Sequence, residues 1–376
     1  MNEDDIYRAS SQYRLWSFSP EILAANRQNV HNLAIERARQ NRHAADTLTH
    51  EENGEHLTIT EELRLIQRYC TQLRLTCSHF SFPISLTCTA VQFLKRFYLT
   101  HSPHTYPPKD IYKTVLFLAC KSEGNHITLT DYARRISSEP ETILAAEYKV
   151  MQGLRFTLDV RQPYRGLKGV YMEMLNLAEG KIGEVEGVHE HGAQALQTQL
   201  QSLGPPRHAD KTRWKPSQGD KHAQSISRIN DAYAAAKFLL DAPALLTDVF
   251  FLYTPSQIML AALHASDEPL TSFYLSTKLS VDAPQGPKIL ATITECASIL
   301  AGFQESDVLS KEERAELDEK LERCRDPATK DMVAAFRASK MGGGDSDDEE
   351  KAERKKAKRE KTRKESEDLF GPSLKG

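Results

Sequence analysis

Apolar residues recur at intervals of three and four along most of this chain, which is the spacing of one face of an α-helix. The first group of such segments runs from Thr58, which has capping-box spacing with Glu61, to about Leu154. It predicts five helices, which begin near Thr58, Ile84, Pro107, Thr130 and Ser138.

A second group of apolar-periodic segments begins at Pro163 and also predicts five helices. The predicted segments are 163–178, 224–249, 254–266, 270–278 and 288–300. Alternating strand patterns are nearly absent. The pattern therefore predicts an all-α fold made of two successive five-helix bundles.

Two further helices flank the bundles. One is predicted from Pro20 to about Ala45, with apolar members Ile22, Leu23, Val30, Leu33 and Ile35. The other is capped by Ser310 with Glu313 and carries a narrow stripe of Leu317, Leu321 and Cys324, which we expect to pack on the bundles.

Residues 180–221 interrupt the second group with a stretch rich in Gly, His, Gln and Pro, and we expect a solvated insertion. Its histidines (189, 191, 208 and 222) have no metal-binding spacing, and Trp214 could pack back onto the bundle. Residues 342–376 mix acids and bases without an apolar stripe, so we expect a disordered charged tail.

Composition narrows the class of protein. A formal charge of −3 gives no general drive toward nucleic acid or acidic membranes. The six cysteines form no C-x-x-C pair, which predicts a reducing compartment without zinc or structural disulfides. With no secretory or membrane-spanning segment we expect a soluble intracellular protein. No catalytic or phosphate-binding motif is present, so neither an enzyme nor a cofactor or metal site is expected.

The most informative stretch is "LFLACKSEG", Leu116 to Gly124, where an apolar helix ends in two charges. Lys121 suits the helix C-terminus and Gly124 can close it, but Glu123 lies at the unfavourable end of the dipole. In the fifth helix, Glu147 lies in one row with apolar residues and needs a partner. If the two helices are neighbours, Lys121 and Glu147 face each other, either as an internal salt bridge or as a grip for another protein's backbone.

At this point the chain resembles the cyclins, whose two five-helix boxes match the predicted bundles, and within them the cyclin H type. The stretches that carry the resemblance are "SSQYRLWSFSPE" (10–21), "FLKRFYL" (93–99), "FLACKSE" (117–123), "QPYRGL" (162–167), "LYTPSQI" (252–258) and "LERC" (321–324). It implies a first box at 58–160, a second at 161–306, an N-terminal segment at 1–57 and a C-terminal helical segment at 307–341 before the tail.

The resemblance also implies a role and partners. Lys121, Glu123 and Glu147 match the positions by which cyclins contact their kinase. Cell-cycle cyclins carry a second acid where this chain has Gly124, and an aspartate where it has Lys95, which is similar to cyclin H. The expected partners are the catalytic subunit of a CDK-activating kinase, the ménage-à-trois assembly factor and core transcription factor IIH, in the nucleus.

Two alternatives stay open at this stage. One is another transcriptional cyclin, of the C, K, L or T type. The other is a nucleic-acid-binding double cyclin box like transcription factor IIB, which would be expected to carry an N-terminal zinc ribbon and a basic core.

Overall fold

The computed structural model describes residues 3–44, 55–181, 192–206, 220–279 and 284–341. They form helices and connections without a strand, which confirms the all-α prediction. The chain divides into two compact units, Met1–Ala328 and Thr329–Gly376. The described part of the second unit contains the helix Met332–Met341 (α19). No helix in the described ranges is both long and apolar enough to cross a membrane.

The first bundle is built around a helix that is buried on all sides. This helix, α5, packs against α4 and α6, and its polar Thr89, Gln92 and Lys95 are buried along with its apolar residues. The capping box of Thr58 and Glu61 opens α4 as predicted. The helices of this bundle are α4 (Ile59–His79), α5 (Ile84–Phe97), α6 (Pro108–Ser122), α7 (Leu129–Arg135), α8 (Pro140–Ala145) and α9 (Glu147–Gly153).

The predicted fifth helix is divided in two, and its predicted capping box is wrong. Ser138 closes the preceding helix instead: Ser137 has a φ of 49°, and the Ser138 N–H donates to the carbonyl of Ala133. Pro140 then opens α8, and a break at Ala146 separates α8 from α9. The short α7 has Thr128 as its N-cap, slightly before the predicted start.

The second bundle follows the prediction with two corrections. The segment 224–249 is not one helix, because Pro243 lacks the N–H that would continue it past Asp241. The segment 180–221 is also not wholly a solvated loop, since residues 193–201 form a helix with buried Leu196 and Leu200. The helices are α10 (Tyr164–Ala178), α11 (Ala193–Gln201), α12 (Lys221–Asp241), α13 (Pro243–Leu246), α14 (Val249–Leu252), α15 (Pro255–Ser266), α16 (Glu268–Ser276) and α17 (Gly286–Gly302).

The flanking helices of the first unit pack on the bundles. They are α1 (Glu3–Ala9), α2 (Ser11–Trp16) and α3 (Pro20–Ala44) before the first bundle, and α18 (Lys311–Cys324) after the second. Leu321 and Cys324 of α18 are buried, as predicted. The predicted stripe of α3 is partly wrong: Ile22 and Leu33 are exposed, whereas Leu23, His31 and Ala38 face inward. Trp214 and the tail lie outside the described residues.

Candidate functional site

The end of α6 closes with a hydrogen-bond pattern that directs Lys121 and Glu123 outward. Gly124 has a φ of 69°, which favours glycine, and nothing lies near the position that a Cβ would take. The N–H of Asn125 donates to the carbonyl of Cys120 at 2.9 Å, and that of Gly124 donates to Lys121 at 3.4 Å. This is a Schellman closure, so the role expected of Gly124 is confirmed.

Lys121 and Glu147 form a salt bridge, as the sequence predicts. Lys121 Nζ lies 2.5 Å from Glu147 Oε1, and the two side chains are 46% and 24% exposed. Lys121 Nζ also lies 4.4 Å from the centre of the Phe117 ring, which adds a cation–π contact. The pair is therefore held in place from one side while part of each charged group stays open to solvent.

Glu147 is positioned by the buried face of the bundle. It is the first residue of α9, and Val150 and Leu154 one and two turns later are fully buried. Its carboxylate is therefore close to the positive end of the α9 dipole. The ammonium of Lys121 is close to the negative end of the α6 dipole. Both helix dipoles favour the charges that the pair carries.

Glu123 is not part of the salt bridge but has its own anchor. Its Oε1 accepts a hydrogen bond of 2.6 Å from Thr89, a buried residue of α5. Gln162 Nε2 donates to the same Thr89 oxygen at 3.0 Å. The three predicted residues thus lie at one end of the first bundle, with Glu123 fixed separately from the Lys121–Glu147 pair.

Two exposed aromatic residues near Glu147 were not predicted from the sequence as part of this surface. Tyr148 is 65% exposed and Phe156 60% exposed, with ring centres 6.4 Å apart. Phe156 and the preceding Arg155 both have positive φ, at 56° and 52°. Such a backbone is strained for residues with a Cβ, and it is often kept for a functional reason. The only signal in the sequence was Phe156, a large apolar residue two positions after the predicted helix end near Leu154.

The acidic side chains of this surface are engaged in ion pairs and hydrogen bonds. Glu147 is committed to Lys121, and Glu123 to Thr89. Burial raises the pKa of the neighbouring Cys120 thiol to about 12, so that thiol stays neutral and unreactive. The metal-ligand types that gather in the described part of the chain lie elsewhere, around His104.

Comparison with known proteins gives two family matches and several relatives. The model of the cyclin N-terminal domain matches residues 31–159, and that of the cyclin C-terminal domain matches residues 162–301. The chain is 31% identical over 287 residues to Cyclin CCL1 of Saccharomyces cerevisiae, a match of 74% of this chain and 62% of that protein. It is 28% identical over 197 residues to Cyclin-H1-1 of Arabidopsis thaliana, with 48% and 59% covered. The chain thus spans less than two thirds of either relative.

Two solved structures have the same fold. A chain in the CAK complex of Chaetomium thermophilum bound to ATP-gamma-S has a TM-score of 0.72 and 32% identity, over 93% of this chain and 99% of that one. A chain in the yeast TFIIK complex of Kin28, Ccl1 and Tfb3 has a TM-score of 0.54 and 28% identity, over 78% and 100%. The resemblance to the cyclin H type is confirmed, and the chain belongs to the cyclin family.

Proposed function

We propose that this chain is a regulatory cyclin that binds and activates a cyclin-dependent kinase of the CDK-activating type, acting in cell-cycle control and in transcription by RNA polymerase II. The observation that carries the proposal is the open Lys121–Glu147 pair next to exposed Tyr148 and Phe156. An aromatic patch beside partly exposed charges is typical of a protein-binding surface.

In this proposal the chain is not itself an enzyme. It contacts the C-helix of the kinase, so that the glutamate of that helix pairs with the strand lysine and the active site assembles. Tyr148 and Phe156 supply the apolar contact area. Lys121, Glu147 and Glu123 supply charged hydrogen bonds to the backbone of the partner.

The proposed assembly has further members. The two solved structures support it, because one is a CAK complex and the other contains Tfb3 together with Kin28. We infer that a kinase catalytic subunit and an assembly factor of the ménage-à-trois type bind this chain, and that core transcription factor IIH recruits the trimer. A nuclear location follows from these partners.

The first test reverses the charge of Glu147. Glu147→Lys places an ammonium against Lys121, and we expect the affinity for the kinase subunit to fall by about 30-fold or more, the effect of losing a close charge pair at an interface. Helicity should not change, because the site lies at the edge of the core. Affinity is measured by pull-down and titration with the purified kinase subunit.

A matched control uses a salt bridge of the second bundle. Lys278 and Glu173 are 2.7 Å apart with side chains 48% and 51% exposed, so Glu173→Lys makes the same chemical change elsewhere. It should leave kinase binding intact. Equal binding by wild type and Glu147→Lys would contradict the proposed role of the pair.

A further inference from the structure

Three potential metal ligands from distant parts of the sequence meet at one point. His56 precedes α4, His104 lies between α5 and α6, and Cys324 ends α18. Each offers one ligand atom, and the three atoms lie within 4.8 Å of one another. His104 and Cys324 are fully buried, and His56 is half-buried. Nothing in the proposed kinase-binding surface uses this cluster.

A carboxylate orients His104 from the opposite side of its ring. His104 Nδ1 lies 2.6 Å from Glu62 Oε1, and Ser102 Oγ donates to the same oxygen at 2.7 Å. His31 Nδ1 lies 3.1 Å from it. A donor at Nδ1 leaves the lone pair of the neutral imidazole on Nε2. Histidines that bind metals are commonly held by a carboxylate in this way.

In the described structure, the ring nitrogens that face the centre of the cluster have no hydrogen-bond partner outside it, and His104 interacts there only with the Cys324 thiol. This holds for His104 Nε2 and His56 Nδ1, both buried, while the Cys324 thiol has only a weak contact with the Leu321 carbonyl at 3.6 Å. A buried polar nitrogen without a partner, as His56 Nδ1 is here, costs free energy that a bound cation would recover.

Backbone contacts hold Cys324 against the His104 loop. The N–H of Asp326 donates to the His104 carbonyl at 2.8 Å, and Asn41 Nδ2 donates to Asp326 Oδ1 at 2.8 Å. Arg42 of the same helix, α3, donates to the Cys324 carbonyl. The connection after α18 is thus fixed in place independently of the three ligand side chains.

We propose that His56, His104 and Cys324 bind one zinc ion, which fastens α18 to the first bundle. Two imidazoles and a thiolate suit Zn²⁺. On binding, the Cys324 thiol proton and the second proton of His104 are released to solvent, so that sulfur binds as thiolate and both histidines bind as neutral rings. With Zn–N near 2.0 Å and Zn–S near 2.3 Å, tetrahedral ligand atoms are about 3.3 to 3.5 Å apart, so the atoms here need to converge by at most about 1.5 Å. This proposal revises the expectation of no zinc.

The test measures metal in the full-length chain, purified without its partners. We expect one zinc per chain, and we expect Co²⁺ in its place to give the charge-transfer absorption of a cobalt–thiolate bond. Removing the metal with a chelator should lower the melting temperature, and added zinc should restore it. Because zinc binds only the folded chain in this proposal, free zinc at a thousandfold its dissociation constant shifts the folding equilibrium toward the folded state by about a thousandfold.

Variants separate metal binding from packing. Cys324→Ala should lose the cobalt–thiolate absorption, whereas Cys296→Ala, which removes another fully buried cysteine from α17, should keep it. If Cys324→Ala does not fold, His56→Gln tests the same site at a half-buried position and should lower the zinc content. The proposal is overturned if the wild-type chain binds no stoichiometric zinc, or if these variants bind it unchanged. The cluster would then be a hydrogen-bonded part of the core.

Discussion

At the scale of single residues, a buried lysine joins the two bundles. Lys95 of α5 is 7% exposed, donates to the Thr247 carbonyl and lies 3.6 Å from Asp248 Oδ1. Arg27 of α3 binds both oxygens of Asp248 at 2.7 Å. Burial raises the pKa of Asp248, but the hydrogen bonds from Arg27 and the charge of Lys95 outweigh it and lower that pKa to about 2. The aspartate that cell-cycle cyclins carry at position 95 would repel Asp248.

Replacing Asp248 should lower the free energy of unfolding more than replacing Lys95 does. Asp248→Asn leaves Lys95 buried beside Arg27 without a counter-charge and should cost about 2 to 3 kcal/mol, toward the low end for a buried pair because Asp248 is 34% exposed. Lys95→Met keeps the volume and leaves Asp248 paired with Arg27, so it should cost about 1 kcal/mol or less. Urea midpoints measure both, and equal losses would contradict the prediction.

Acid should remove the stabilisation that the ionised Asp248 carboxylate contributes. Because the Asp248 pKa is lowered from 3.8 to about 2, the stabilisation is complete above pH 4 and is lost as the pH falls toward 2. The difference in melting temperature between wild type and Asp248→Asn should therefore narrow over that range. A difference that stays constant would show that Asp248 acts through packing.

At the scale of secondary-structure elements, α11 closes one side of the second bundle. Leu196 and Leu200 are each 3% exposed, and Gln197 Nε2 donates to the Ala178 carbonyl of α10 at 2.6 Å. Arg228 of α12 donates to the Gly204 carbonyl at 2.7 Å. The insertion therefore packs on the second bundle between residues 193 and 204 and contributes two leucines to its core.

Truncating the two leucines tests this packing. Leu196→Ala and Leu200→Ala should each cost about 2 to 3 kcal/mol, since each leaves a cavity. Gln199→Ser, an exposed change on the same helix, should have little effect on the melting temperature. If the leucine variants were as stable as wild type, α11 would be a surface segment that contributes nothing to the core.

The sequence predicted most helices and the Lys121–Glu147 pair, because apolar periodicity and caps are local signals. It missed α11, whose nine residues carry only two leucines within a polar segment. It did not predict the cluster around His104 either, because its residues are far apart in sequence and buried by tertiary contacts. The same reason explains the burial of Thr89 and Lys95 in α5, where hydrogen bonds to other elements replace water.

At the scale of the whole molecule, the N-terminal segment packs on both bundles. Trp16 and Leu23 form one buried cluster with Leu99 of the first bundle and Phe251 of the second. Trp16 Nε1 donates to Thr157 Oγ1 at 2.9 Å, and the Phe18 N–H donates to the Phe251 carbonyl at 2.8 Å. The segment can reach its native position only when both bundles are present.

Refolding kinetics should reveal this dependence. In a Trp214→Phe background Trp16 is the only tryptophan, so its fluorescence reports docking of the segment. We expect far-ultraviolet circular dichroism to recover before that fluorescence, because helices form locally and the Trp16 cluster needs distant contacts. Coincident recovery in a stopped-flow experiment would contradict the expected order.

The same packing has a consequence for synthesis on the ribosome. Trp16 and Leu23 leave the ribosome long before one of their partners, since Phe251 follows Trp16 by 235 residues. The first bundle can condense while the second is still being made, as domains generally do. Trp16 and Leu23 must remain uncovered through that interval, so the nascent chain presents an apolar segment to chaperones until Phe251 has left the exit tunnel.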